Sequence, residues 1–238
     1  MKLSSIKKLE GTITLKSGLH IGSGDMEMHI GGTDSPVIKH PHTLEPYIPG
    51  SSLKGKVRSL LELESGLVPF AKDEGGIVSL KTLKAVEQDE KLKERCLAIL
   101  KVFGVSGADS DEESYNLGPT RVSFSDCYLD EDWKRKAHEN RWQLTEIKSE
   151  NSINRISGTA LNPRFIERVP EGTKFRFTIT FKVLEEGDEK LFEDYLLKGL
   201  KLLEFDALGG NGSRGYGRIK FDFDDEETNK KFKELSLF

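Results

Sequence analysis

Between Lys174 and Val183 the chain alternates without a break, with Phe175, Phe177, Ile179, Phe181 and Val183 on one side and Lys174, Arg176, Thr178, Thr180 and Lys182 on the other. A period of two with bulky apolar residues on one side predicts a strand with one buried face. Such a face needs a cover, and one follows directly. From Asp188 to about Phe205, Leu191, Phe192, Tyr195, Leu196, Leu200 and Leu203 recur at helical spacing. A similar pair stands near the N-terminus. Residues 6–16 predict a strand with Ile13 and Leu15 on one face and Thr12, Thr14 and Lys16 on the other. A helix from Ser52 to near Gly66 then carries Leu53, Val57, Leu60 and Leu61. Arg121–Leu129, with Val122 and Phe124 inward, and Arg218–Phe223 supply two more strands.

The order is strand–helix–strand–strand–helix–strand. It predicts an α+β chain with a ferredoxin-like βαββαβ core, the plan that also underlies the RNA-recognition motif. Three insertions interrupt it within one domain spanning 1–238: a proline-rich loop over 25–50, a helical lid over 62–118 and a protruding hairpin over 143–172. Within the second, Leu83–Phe103 predicts one helix ended by Gly104, followed by an acidic loop. Trp133–Trp142 suggests a short helix.

Hydrophobic residues make up 36% and charged residues 32%. No apolar run approaches the ~20 residues of a membrane span, and no signal-peptide core opens the chain. Cys96 and Cys127 lack any pairing or zinc-type spacing, so a reducing cytoplasm is expected. The net charge is −4, yet it is segregated. Windows 39–58, 140–176 and 205–220 together carry +8, leaving −12 for the rest. A basic groove on an acidic body is compatible with a nucleic-acid partner.

Two stretches concentrate chemistry. In 31–58, Asp34 sits between glycines and a proline, and the turn Ile48-Pro49-Gly50 delivers Ser51 and Ser52 to a helix start followed by Lys54, Lys56 and Arg58. Helix-start amides with hydroxyls and cations suit phosphate, although capping serines and solvated lysines produce the same pattern. The second stretch is Gly209–Arg218. Gly210, Gly212 and Gly215 match G-x-G-x-x-G, but a dinucleotide site needs strand, glycines, helix, and here the order is helix, glycines, strand. What remains is a glycine turn around Arg214 and Tyr216, suited either to backbone amides facing phosphate, with Arg214 for charge and Tyr216 for stacking or packing, or to a tight connector with glycines at positive φ. His20 lies in a glycine-flanked loop and reads either as a packed histidine or as a functional one. His40-x-His42 places two imidazoles on one strand face without further ligands nearby.

Asp34-Ser35-Pro36-Val37-Ile38, Ile48–Lys56 and Leu202–Asp206 leading into Gly209–Gly217 together resemble the RAMP superfamily of CRISPR proteins. Within it, they resemble the repeating backbone subunit of the type III-A (Csm) effector complex. The match covers residues 6–58 and 120–221. It implies a helical filament of copies of the chain on a CRISPR guide RNA, with other Csm complex subunits. Complementary target RNA would be cut at regular intervals, and no membrane is involved.

The resemblance nominates Asp34 as the catalytic residue and as a metal ligand for a divalent cation, Mg²⁺. It nominates Ser51, Ser52, Lys54, Lys56, Arg58, Gly210, Gly212, Arg214, Gly215 and Tyr216 for the guide backbone, with His20 beside them. The 143–172 hairpin resembles a thumb that wedges into the guide–target duplex and carries Arg155 and Arg164. Ile153, Ile156 and Leu161 are its wedge candidates. Asp25, Glu27 and Glu45 are the nearest further acids. Two alternatives stay open: a non-catalytic RNA-binding scaffold in which Asp34 caps a turn, and a CRISPR-RNA-processing ribonuclease of the same superfamily.

Overall fold

The computed structural model describes residues 1–24, 35–105 and 117–237. Its centre is a four-stranded sheet of order β2-β5-β1-β6. β1 (Ser5–Leu15) runs antiparallel to β5 (Lys174–Val183) from Ser5↔Val183 to Thr14↔Lys174. Its other edge pairs antiparallel with β6 (Ile219–Phe223). β2 (Val122–Phe124) closes the far side of β5. The chain is therefore of the α+β class.

The alternation in β5 does what its spacing predicts. Phe175, Phe177, Ile179, Phe181 and Val183 are buried while their neighbours stay half-buried or exposed. Against this face lie α1 (Gly50–Ser65), through Leu53, Val57 and Leu61, and α5, through Leu196, Leu200 and Leu203. The helix called α5 is continuous through Asp188–Leu191, a π-helical Phe192–Leu197 and Lys198–Phe205. Burying each such side chain contributes about 1.5–3 kcal/mol. Aromatic rings lock the sheet's centre, with Phe177 edge-on to Phe221 and to Phe223, each at 5.5 Å.

Local structure departs from expectation in four places. α1 begins at Gly50, and its capping residue is Pro49, without a side-chain cap. Asp126 takes the capping role from outside, accepting from the Gly50 amide at 2.8 Å. β2 is also shorter than expected, the chain leaving it after Phe124 although the Ser125 amide still donates to the Thr178 carbonyl at 3.1 Å. The chain rejoins through bridges Ile48↔Cys127 and Leu129↔Phe175. The expected helix over 83–103 is two: α2 (Leu80–Ala85) opens on a Ser79/Thr82 capping box, and α3 (Glu90–Phe103) on Asp89. α2 has already ended at Ala85, with Val86 as its C-cap, and Asp89 accepts from the amides at 91 and 92 to begin the next helix.

α4 (Glu131–Glu139) is capped by Asp130 in the same way. Finally, α6 (Glu226–Glu234) was not legible, since Phe232 is its one buried residue. That ring packs on Phe223 at 4.8 Å. The hairpin of β3 (Glu146–Ile153) and β4 (Ala160–Arg168) forms a separate two-stranded sheet. No helix among the described residues is long and apolar enough to cross a membrane.

Candidate nucleic-acid interface

The sheet register decides which loops meet. The C-terminal end of β1 lies beside the N-terminal ends of β5 and β6, through Thr14↔Lys174 and Leu15↔Ile219. So the loop after β1, the hairpin before β5 and the glycine turn before β6 all emerge at one end of the molecule.

There they are stitched together by backbone. Gly217 donates to the Gly18 carbonyl at 2.9 Å and Gly210 to the His20 carbonyl at 2.8 Å. Leu19 and Val169 exchange bonds at 2.9 and 2.8 Å. Gly209 and Gly217 hold the tightest approaches. Each has positive φ, and a Cβ would be driven into the His20 carbonyl at the first or the Leu208 carbonyl at the second. Gly210 meets its neighbours only at ordinary contact distance, Gly212 faces Ala207, and Gly215 stands at positive φ in open space.

His20 is half-buried, and its Nδ1 lies 2.7 Å from the Glu167 carbonyl oxygen. A carbonyl only accepts, so Nδ1 carries a proton. Glu167, 8% exposed, is a second junction through its side chain. It accepts from the Val37 amide at 2.9 Å and from Lys39 Nζ at 2.6 Å. Burial works to raise its pKa, but Lys39, the Val37 amide and Thr145 outweigh burial and hold the carboxyl below its ordinary range. Ser35 bridges Ile166, and its carbonyl accepts from the Glu167 amide at 3.1 Å. Residues 35–39 are thereby fixed along the hairpin base.

The glycine turn is tied to the same base by Glu150. Tyr216 donates to Glu150 Oε1 at 2.7 Å and Arg214 to Oε2 at 3.1 Å, with Lys148 at 3.4 Å. Lys148 and Arg168 stand over the Tyr216 ring at 4.5 and 5.1 Å. Tyr216 is fully buried, so of the two roles expected of it the ring packs and has no face free for a base; it is the floor on which the hairpin stands. Burial, with Glu150 second, pushes its phenol up to about 12. Glu150 is held low, foremost by that phenol.

The cations of α1 are also sorted. Arg58 is spent internally, on Glu62 at 2.7 Å and on the carbonyls of Gly104 and Val78 at 3.1 and 2.6 Å. It clamps α1 to the helical insertion and is not available to a phosphate. Lys56 pairs with Asp206 at 2.7 Å, joining α1 to the chain entering the glycine turn. Lys54 has no ion-pair partner among the described residues, and burial, with Arg58 second, lowers its pKa. Ser51 is exposed and Ser52 half-buried, but Asp126 already occupies the first helix amide. Arg155 and Arg164 are exposed on the hairpin. Arg164 and Arg214 share a cleft of about 320 Å³ with Glu150, Asn151, Ser152 and Asn162.

Asp34 lies outside the described residues, as do Asp25 and Glu27. Glu45 is committed to Lys134 at 2.8 Å. No group of three or more His, Cys, Asp or Glu side chains converges among the described residues. Glu150, Glu167, Lys39 and Asp126 are the site residues that sequence reasoning missed. Their roles exist only across 66 to 130 residues of separation, and an acid within a charged hairpin carries no local mark.

Comparison with known proteins places this architecture. The RAMP superfamily model matches residues 12–220. A protein of Methanocaldococcus jannaschii named CRISPR system Cms endoribonuclease Csm3 is 40% identical over 217 residues, which cover 90% of this chain and 77% of that one. Its namesake in Streptococcus thermophilus is 38% identical, covering 90% and 86%. The Methanopyrus kandleri Csm3 crystal structure superposes with a TM-score of 0.58 at 26% identity, covering 94% of this chain and 76% of that one. With its family model spanning the sheet, the glycine turn and the hairpin, the chain belongs to the RAMP superfamily, among its Csm3 proteins.

Proposed function

We propose that the chain is the guide-RNA-binding backbone subunit of a type III CRISPR interference complex. In this reading it is an endoribonuclease that cuts bound target RNA at regular intervals, with Asp34 as the catalytic residue. Copies of the chain line the guide as a filament beside other Csm subunits in the cytoplasm. The observation that carries the reading is the convergence of the His20 loop, the glycine turn, the 35–39 segment and the hairpin base at one end of the sheet. The printed name of the relatives, endoribonuclease, supports the activity.

In this proposal the core is the ferredoxin-like, split βαβ plan, supported by the order β2-β5-β1-β6 with antiparallel neighbours. The hairpin acts as a thumb, and its exposed Ile153, Ile156 and Leu161 separate stacked bases. Lys54, Arg155 and Arg164 supply cations with no ion-pair partner among the described residues, and Gly210 and Gly215 bring backbone close to the guide. RNA provides its own nucleophile, the 2′-OH, so the protein's task is to align it with the leaving 5′-oxygen. A displaced base frees the backbone to reach that line, at a cost of about a few kcal/mol of unstacking. Asp34 takes the 2′-OH proton as general base. Magnesium dependence rests on Asp34 alone and is tested by chelation with EDTA.

The decisive experiment replaces Asp34 with alanine in the assembled complex. Guide binding and assembly should persist while target cutting is lost. Unchanged cutting would leave a scaffold. Site-specific cleavage of repeat RNA by the isolated chain would instead favour a processing ribonuclease.

A further inference from the structure

Beside the start of α1, and apart from the glycine turn, four aromatic side chains form a contiguous surface cluster. His40 and His42 have ring centroids 5.5 Å apart, His40 and Tyr128 5.9 Å, and Tyr47 and Tyr128 5.8 Å with planes tilted by only 31°. Tyr128 is 50% exposed, His42 is exposed, and His40 and Tyr47 are half-buried. Tyrosines and histidines buried for packing alone turn their rings inward; these stay at the surface in contact with one another.

Their support is rigid. Tyr128 sits on the sheet, its carbonyl accepting from the Arg176 amide at 2.8 Å, one residue before the bridge Leu129↔Phe175. Tyr47 precedes Ile48, which exchanges backbone bonds with Cys127 at 2.9 and 2.8 Å. The turn carrying both histidines is closed by His40 and Glu45 at 2.9 Å and by the bridge Lys39↔Pro46. His40 Nδ1 accepts from the His42 and Thr43 amides at 3.3 and 3.4 Å. Lys39 anchors the turn to the hairpin base through Glu167. The cluster and the glycine turn therefore belong to the same end of the sheet, where β5 begins.

We infer that Tyr47 and Tyr128, with His40 edge-on to Tyr128 at 75° and His42 edge-on to His40 at 61°, form a stacking platform for an unpaired base of single-stranded RNA. Rings held in place lose little freedom when a base lies on them, and every base offers a π face. The inference rests on the RNA-binding reading and adds a site to it.

The test uses the full chain and single-stranded RNA carrying 5-iodouridine, photo-crosslinked and mapped by mass spectrometry. The expected adducts lie in peptides containing His40–Tyr47 or Tyr128. Tyr128→Ala should weaken binding about tenfold, with the salt slope unchanged, because no phosphate contact is lost. Tyr128→Phe should bind as wild type, and thermal melts show whether both variants are folded. Bound RNA that crosslinks only elsewhere, or wild-type affinity in a folded Tyr128→Ala, overturns the platform while leaving the RNA-binding reading intact. Altered self-association at unchanged RNA affinity would make the cluster a protein contact and also overturn it. Wild-type protein that binds no RNA would sink both.

Discussion

β5 and the β3–β4 hairpin are both extended chain, yet opposite forces hold them. β5 buries every second residue beneath two helices. The hairpin buries only Ile166 and Glu167 at its base and exposes Ile147, Ile153, Ile156, Leu161 and Phe165. Apolar burial is non-directional and indifferent to pH. The hairpin base depends on directional, ionised contacts: Glu167 with Lys39, Glu150 with Tyr216 and Arg214, and Arg168 with Glu146 at 2.7 Å. Burial makes the sheet stable, whereas the ionic base sets the angle at which an exposed arm leaves it.

The largest effect that contrast predicts is in the sheet. Phe177→Ala should lose about 3–5 kcal/mol in urea unfolding, from transfer and cavity together. A loss under ~1 kcal/mol would mean the core is not where stability resides. Next comes the hairpin base. Glu167→Ala strands the Val37 amide and Lys39, and about 2–3 kcal/mol should go, with Glu167→Gln recovering the amide's share. Hydrogen exchange at residues 35–39 should accelerate in the alanine variant more than in β5.

Tyr216→Phe removes a hydroxyl from Glu150 and should cost about 1 kcal/mol, with a pH signature. Glu150 has a depressed folded pKa. Its contribution is complete above the unfolded value of ~4.3 and is lost as pH falls through the folded one. Tyr216 runs the other way, since its phenol is raised to about 12. Its contribution is intact below the unfolded value of ~10 and is lost as pH rises towards the folded one. Urea midpoints across both limbs should flatten in the phenylalanine variant; an unchanged alkaline limb would remove Tyr216 from the coupling. The smallest stability effect belongs to the hairpin tip. Ile156 is 99% exposed, so Ile156→Ser should stay within ~0.5 kcal/mol of wild type. Target cutting should fall in the same variant if the tip separates bases, which pits arm against sheet directly.

Much of this was readable beforehand, for reasons that differ between elements. β5 matches its predicted span because alternation and burial coincide residue by residue. α1 was legible by its leucine spacing but began two residues early, since its cap is supplied by Asp126, 76 residues away. α6 was missed because a single buried phenylalanine has no period. Among the site residues, the glycine turn, His20 and the hairpin base meet at one end of the sheet, whereas Tyr216 and Arg58 are interior supports. Charge and aromaticity in a sequence do not tell a ligand-facing group from one already satisfied.

What the linear chain settled by itself was periodicity: which residues face inward, and so which strands and helices must pair. That follows from local geometry, in which side chains repeat every second or about every 3.6 residues whatever else is present. Partnership was left to the tertiary structure. Three cations lie within five positions of α1, and only the fold determined that Arg58 is consumed, Lys56 is tethered and Lys54 stays unpaired among the described residues. An ion pair is won by proximity in space, and that is assigned only when the sheet brings distant segments to one end.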